Sequence, residues 1–175
     1  MPASPDPAPA TLVPIAISAC LLGERVRYDG GDKRAVGLLA ALAPHVRWVP
    51  LCPEVLAGLG VPRPPIQVIR ADGGTGVREV ERGTDHTARL AAASAHIVAT
   101  LRAEGVRGFV CKARSPSCGV GDAPHHAPQG QVMGQGDGVM VAALRVALPP
   151  LVVASEAELD SAGACAAFLR QVRAT

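Results

Sequence analysis

Short apolar runs alternate along this chain with longer segments in which apolar residues recur at helical spacing. The apolar runs have the length of buried strands, and we predict strands at 12–19, 47–51, 106–110 and 151–153. The periodic segments are typical of helices packed on a core, and we predict helices at 35–43, 85–103, 139–146 and 164–172. Strand and helix in alternation favour a parallel sheet with helices on both faces. The pattern thus predicts a Rossmann-like α/β fold of three layers with a mostly parallel sheet.

Three further segments lack this alternation. Residues 1–10 carry prolines among small residues and are predicted to be a disordered tail, which leaves 11–175 as a single α/β domain. A short strand is predicted at 66–69, followed by a polar, glycine-rich excursion through Gly76. The segment 119–138 is rich in glycine, proline and histidine and is predicted to be one long loop. Long ordered loops are usually functional, so this segment is a candidate part of a site.

Composition and charge argue against two classes of partner. The chain has two phenylalanines, one tryptophan and one tyrosine, whereas proteins that bind single-stranded nucleic acid stack bases on aromatic side chains. The formal net charge is +2, which is too small to attract a polyanion. No apolar run approaches the roughly 20 residues of a membrane span. We therefore expect a small-molecule partner, and neither a nucleic acid nor a membrane.

The chain has five cysteines, an odd number in a protein large enough to fold without disulfides. Residues 17–20 resemble a bacterial lipoprotein cleavage site, but no Lys or Arg precedes Arg25, so the basic region of an export signal is missing. We therefore expect a cytoplasmic protein whose reduced thiols bind a metal or take part in a reaction.

Three cysteine positions coincide with the ends of predicted strands. Cys20 and Cys52 follow the first two strands, and Cys118 lies in the turn after the third. In open parallel sheets, ligands bind at the carboxyl ends of the strands. If these three strands are neighbours, Cys20, Cys52 and Cys118 will lie together although they are far apart in the sequence.

The segment 111–119 concentrates reactive groups in a turn that contains Pro116 and Gly119. Because cations lower the pKa of nearby thiols, we expect its cysteines to be stabilised as thiolates. Its reactive side chains are two thiols, two hydroxyls and two cations: Cys111, Cys118, Ser115, Ser117, Lys112 and Arg114. The alternative is a surface turn with a buried cysteine.

The residues alone leave the kind of thiol site open. A structural zinc site, a redox pair and an iron–sulfur site remain, although neither a local Cys-x2-Cys knuckle nor a ferredoxin-type run of cysteines is present. Cys111 is either a fourth ligand or a buried, inert cysteine. His125 and His126 either join a zinc site or are solvated. Cys165 lies in an Ala-rich helix and is predicted to pack in the core.

Several blocks of the sequence resemble a bacterial family that includes the 2-thiouracil desulfidases. They occur in the family's order and cover most of residues 14–160. The blocks are Ser18-Ala19-Cys20-Leu21-Leu22-Gly23 with Arg27-Tyr28-Asp29-Gly30-Gly31, Pro50-Leu51-Cys52-Pro53-Glu54 with Pro62-Arg63-Pro64-Pro65, Lys112-Ala113-Arg114-Ser115-Pro116-Ser117-Cys118-Gly119, Gly136-Asp137-Gly138 and Ser155-Glu156.

This resemblance implies a cofactor and an activity. It implies a 4Fe-4S cluster held by Cys20, Cys52 and Cys118, with one iron not ligated by the protein. It also implies non-redox desulfuration of thiolated pyrimidines, such as 2-thiouracil, to the oxo compound with release of sulfide. The substrate would be a small thiolated base or nucleoside. Such a reaction needs a base for water, for which we predict Glu54. Ser115 or Ser117 would hold the substrate or the tetrahedral centre.

Alternatives to this enzyme use the same cysteines. They are a non-catalytic carrier of a metal or cluster, a zinc-dependent hydrolase, and a thiol redox protein that pairs Cys111 with Cys118. The chain also departs from the family pattern at Val26 and in the loop 120–134, which leaves the substrate open. A monomer and a homodimer are both compatible with the sequence.

Overall fold

The computed structural model describes residues 11–175, so the predicted tail at 1–10 lies outside the described residues. The strands are β1 Val13–Ser18, β2 Val46–Leu51, β3 Ile66–Ala71, β4 Gly74–Glu79, β5 Gly108–Cys111, β6 Ala123–His126, β7 Val132–Gly136 and β8 Val152–Ser155. The helices are α1 Val36–Leu42, α2 Pro53–Leu56, α3 Thr87–Ala103, α4 Val139–Ala147 and α5 Ala162–Ala174. A 3-10 turn at Ala19–Leu22 follows β1. Within these residues, no helix combines the length and apolar character that crossing a membrane requires.

The main sheet has four strands in the order β2-β1-β5-β8, and all are parallel. In register, Ile17 of β1 lies between Pro50 of β2 and Val110 of β5. The carboxyl ends of these three strands therefore lie side by side at one edge of the sheet. The three cysteines can lie together only if these strands are neighbours, and the sheet order meets that condition.

Helices cover both faces of the main sheet, which confirms the predicted three-layer α/β fold. The side chains of β1 alternate between the faces, as a pleated strand requires. Ile15 and Ile17 pack in a buried cluster with residues of α1 and α5, including Leu42 and Phe168. On the opposite face, Ala16 packs in a second cluster with residues of α3 and α4: Ile97, Leu101, Met140 and Leu144.

A second, mixed sheet of order β4-β3-β6-β7 was not predicted. The excursion expected after 66–69 is instead the hairpin of β3 and β4. The long loop expected at 119–138 is also wrong, because it contains the hairpin of β6 and β7. The short strand predicted at 66–69 is β3, whose apolar residues are buried. β4 and β7 carry little apolar alternation, since only Val77 is buried in β4 and no residue is buried in β7. Backbone pairing defines these two strands, and hydrophobic periodicity could not reveal them.

A substitution at Gly108 tests how closely α5 packs on the main sheet. A Cβ at this position would lie 2.7 Å from Val172 Cγ2 and 3.1 Å from Phe168 Cζ. We expect Gly108→Ala to lower the free energy of unfolding by about 1–3 kcal/mol, because α5 must shift outward. Urea denaturation measures this change.

The matched control is Gly37→Ala, because nothing lies within 4 Å of a Cβ at this position in α1. That substitution should leave stability unchanged or raise it by up to about 1 kcal/mol. Equal effects of the two substitutions would contradict the close packing of α5.

Candidate active site

Cys20, Cys52 and Cys118 line one cavity of about 470 Å³ at the carboxyl edge of the main sheet. Cys20 lies in the 3-10 turn after β1, Cys52 directly follows β2, and Cys118 lies in the loop after β5. All three are free thiols. The predicted convergence of these cysteines is confirmed, whereas their role as ligands is still a prediction.

Burial has the largest effect on the pKa of each of these three thiols. It raises the pKa of Cys20 to about 11, and the neighbouring Cys52 thiol raises it further. Burial also raises the pKa of Cys52 and, more strongly, that of Cys118. The expectation that nearby cations hold the free thiols as thiolates is therefore wrong. Arg27 and Lys112 lower the pKa of Cys20, but burial outweighs them because it removes water from the anion.

Ser18 is a residue of this site that sequence reasoning missed. It ends β1, is 2% exposed, and lines the cavity. Its Oγ accepts a hydrogen bond from the backbone N–H of Lys112 at 3.0 Å. Its side chain also hydrogen-bonds to Cys118, which lowers the pKa of that thiol against the effect of burial. The available signal was a hydroxyl at the end of an apolar strand, one residue before the cysteine turn.

The loop around Cys118 is fixed by hydrogen bonds to its own serine and to α4. Ser115 Oγ accepts from the backbone N–H groups of Ser117 and Cys118 at 3.2 and 3.0 Å. At the start of α4, three N–H groups donate to carbonyls of the loop: Gly138 to Gly119, Val139 to Pro116, and Met140 to Ser117. These bonds satisfy donors that a helix start leaves unpaired, and they hold Cys118 in place.

Both cations of the loop line the cavity, and each has a defined support. Lys112 Nζ pairs with the carboxylate of Glu156, which also accepts from the backbone N–H of Ala113 at 2.6 Å. Arg114 has a φ of +59°, and its N–H donates to Asp122 Oδ1 at 2.9 Å. The loop is therefore held by acidic side chains from outside it.

Glu54 lies in the first turn of α2 and lines the cavity. Two hydrogen bonds fix the orientation of its carboxylate. Its Oε2 accepts from Arg63 Nε at 2.7 Å, and its Oε1 accepts from the Ser117 hydroxyl at 2.9 Å. Arg63 Nη1 donates to the carbonyls of Val26 and Gly60, both at 2.9 Å. Arg63 thus anchors its proline-rich loop and orients Glu54 at the same time.

The two serines predicted to be catalytic have different positions. Ser115 lines the cavity, so its hydroxyl can reach a bound molecule. Ser117 is fully buried and directs its hydroxyl to Glu54. Ser117 is therefore placed to orient Glu54, because the carboxylate takes its only hydrogen, and its contact with a substrate stays a prediction.

The remaining cysteines and the histidine pair lie outside the cavity lining. Cys111 is fully buried in β5, with its Sγ 3.9 Å from the carbonyl oxygen of Phe109. Cys165 is 2% exposed and lies on α5, where it packs in the apolar cluster on one face of the main sheet. His125 and His126 lie on β6 of the second sheet. Of the alternatives left open, the structure favours a buried Cys111 and separates the histidines from the thiols.

Comparison with known proteins identifies the family. A family model described as 2-thiouracil desulfurase matches residues 15–156. The chain belongs to the 2-thiouracil desulfurase family. A solved structure described as the [4Fe-4S]-dependent thiouracil desulfidase TudS is 33% identical, with a TM-score of 0.68, over 89% of this chain and 99% of that one. The uncharacterized protein YbbK of Bacillus subtilis (strain 168) is 34% identical in an alignment of 119 residues that covers 61% of this chain and 74% of that protein.

The donor set of this 2-thiouracil desulfurase family member is compatible with an iron–sulfur cluster. Cys20, Cys52 and Cys118 bring three thiols to one cavity, with Cys20 and Cys118 buried and Cys52 partly buried. Thiolates are the ligands of 4Fe-4S clusters, in which each thiolate binds a different iron. Within residues 11–175, no group of three His, Cys, Asp or Glu side chains has the arrangement of a single-ion site.

A substitution at Gly138 tests whether α4 positions the loop that contains Cys118. A Cβ at Gly138 would lie 2.5 Å from the carbonyl carbon of Ser117 and 2.8 Å from the backbone nitrogen of Cys118. We expect Gly138→Ala to displace this loop, because backbone atoms cannot rotate away. In the cluster-free protein, alkylation of Cys118 by iodoacetamide, followed by mass spectrometry, should accelerate about tenfold or more, which corresponds to about 1.4 kcal/mol of easier local opening.

Gly163→Ala is the control, because the nearest atom to a Cβ there is Ser161 Oγ at 4.0 Å. It should leave the alkylation rate of Cys118 unchanged. An unchanged rate in Gly138→Ala as well would show that α4 does not hold the loop.

Proposed function

We propose that this chain hydrolyses the C–S bond of small thiolated pyrimidines of the 2-thiouracil type. The oxygen of water replaces the sulfur, sulfide is released, and no electrons are transferred overall. A single observation carries the proposal: three free thiols and one held carboxylate line the same cavity. Membership of the 2-thiouracil desulfurase family supports the reaction, and the solved TudS, described as [4Fe-4S]-dependent, supports the cofactor.

Cys20, Cys52 and Cys118 would hold a 4Fe-4S cluster through their thiolates. Three protein ligands would leave one iron without a protein ligand. When bound, such a cluster supplies a soft Lewis acid suited to a thiocarbonyl sulfur. Arg27, Lys112 and Arg114 line the same cavity, and their charges would offset the negative charge of the thiolates.

Glu54 is the proposed general base. Its carboxylate lines the cavity, and its two oxygens retain lone pairs beyond those used by Arg63 and Ser117. It would take a proton from water so that the oxygen attacks the carbon of the C–S bond. Arg63 and Ser117 would act through Glu54 by fixing its orientation. Ser115 would donate its hydroxyl hydrogen to the substrate or to the oxygen of the tetrahedral centre.

The first experiment is anaerobic purification, a count of iron and sulfide, and incubation with 2-thiouracil while sulfide release is followed. We expect about four irons per chain and sulfide release. Cys118→Ala should lose most of both, because it removes one ligand. Cys165→Ala should keep both, because Cys165 lies in the core away from the cavity.

The outcomes separate the alternatives. An iron-loaded but inactive protein on several thiolated bases and nucleosides would favour the cluster carrier. Bound zinc with hydrolytic activity would favour the zinc hydrolase. A protein that stays metal-free after anaerobic reconstitution would contradict the cluster.

The substitution Glu54→Gln distinguishes the loss of the general base from the loss of the cluster. The amide keeps the shape of the side chain but cannot take a proton, so kcat should fall by about 10²–10⁴-fold while the iron content stays unchanged. Steady-state sulfide release and an iron assay measure the two quantities. Glu104→Gln is the matched control, because Glu104 pairs with Arg47 on the surface. Sulfide release near the wild-type rate in Glu54→Gln would remove this residue from the mechanism.

A further inference from the structure

A second cavity, of about 800 Å³, lies between α3, α4 and the second sheet. None of its lining residues lines the thiol cavity. Its volume falls in the range of small-molecule sites. Its walls combine small and apolar side chains from the two helices: Leu90, Ala91, Ala95, Val98, Val139, Ala142 and Ala143. The desulfuration described above uses none of these residues.

The charges of this cavity are not balanced. Its charged lining residues are Arg70, Arg102 and Asp137. Asp137 is already compensated, because its Oδ2 accepts from Arg145 Nε at 2.7 Å and its Oδ1 from the N–H of Gly121 at 2.8 Å. Within the described residues, no carboxylate lies within 4.0 Å of the guanidinium groups of Arg70 and Arg102. The cavity therefore has an excess of positive charge.

The two arginines lie at opposite ends of the cavity. Arg102 donates to the carbonyl of Ala147 at the end of α4, at 2.9 Å. Arg70 lies near the start of α4, beside His125. A Cβ at Gly136 would lie 3.2 Å from Arg70 Nη2 and 2.6 Å from His125 Cε1, so this glycine lets the two groups come together.

His125 brings an unpaired polar atom to the same end. It is 4% exposed, and its Nε2 lies 2.9 Å from the carbonyl oxygen of Asp137. Because a carbonyl only accepts, Nε2 carries the proton and Nδ1 is left as an acceptor. Among residues 11–175, Nδ1 has no hydrogen-bond partner. Nδ1 has less than 1 Å² of accessible surface, so a ligand in the cavity would meet the ring of His125 and not this acceptor.

We propose that this second cavity binds a small organic acid with an apolar body. The acid group would pair with Arg70, and the apolar body would pack against Leu90 and Val98. A guanidinium favours a carboxylate because it offers two parallel donors.

Salicylate is a suitable probe because it joins a carboxylate to an apolar ring. Isothermal titration calorimetry on the anaerobically purified protein should detect salicylate binding, and the neutral isostere salicylamide should bind at least about tenfold more weakly. Arg70→Gln should weaken salicylate binding by a similar factor while sulfide release from 2-thiouracil stays unchanged.

Arg173→Gln is the control, because Arg173 is exposed near the end of α5. It should bind salicylate like the wild type. Failure of salicylate to bind, equal binding of salicylamide, or unchanged binding in a folded Arg70→Gln variant would each overturn the proposal. None of these results depends on whether the desulfuration proposal holds.

Discussion

The parallel pairing of β2, β1 and β5 is the constraint on which the site depends. Parallel strands end at the same edge of a sheet, so three turns far apart in sequence meet there. Cys20, Cys52 and Cys118 each follow one of these strands. The apolar clusters on the two faces fix the strand order, and the strand order fixes the positions of the thiols. The core is therefore the scaffold of the site.

Hydrogen bonds and an ion pair from other elements hold the loop that contains Cys118. The start of α4 binds carbonyls of the Cys118 loop, and the closest approach requires a glycine at 138. Glu156 supports the same loop from the end of β8 by pairing with Lys112. Loops at strand ends are otherwise mobile, so such bonds give three thiols and a carboxylate a defined arrangement.

The protonation of the three thiols depends on whether a cluster is bound. Burial keeps the free thiols protonated, since it raises the pKa of each of them. A cluster would require three thiolates, and binding would therefore release protons. The nearby cations and the hydroxyl of Ser18 favour the anionic form, so their contribution matters most when the thiolates are ligands. Glu54 acts against the anionic form, because its carboxylate raises the pKa of Cys52 and of Cys118.

The sequence by itself determined the main sheet, its covering helices and the three cysteines, because buried strands and amphipathic helices leave a periodic apolar pattern. The resemblance to the 2-thiouracil desulfidases rested on the residues around those cysteines and Glu54. Apart from the strand at 66–69, the second sheet escaped prediction, since β4 and β7 are mostly exposed and are defined by backbone pairing alone. Only the tertiary structure decided that Ser117 serves Glu54, that Ser18 serves Cys118, and that Cys111 lies outside the cavity lining. Those roles depend on which way a side chain points at a loop or strand end, and no periodic pattern encodes that direction.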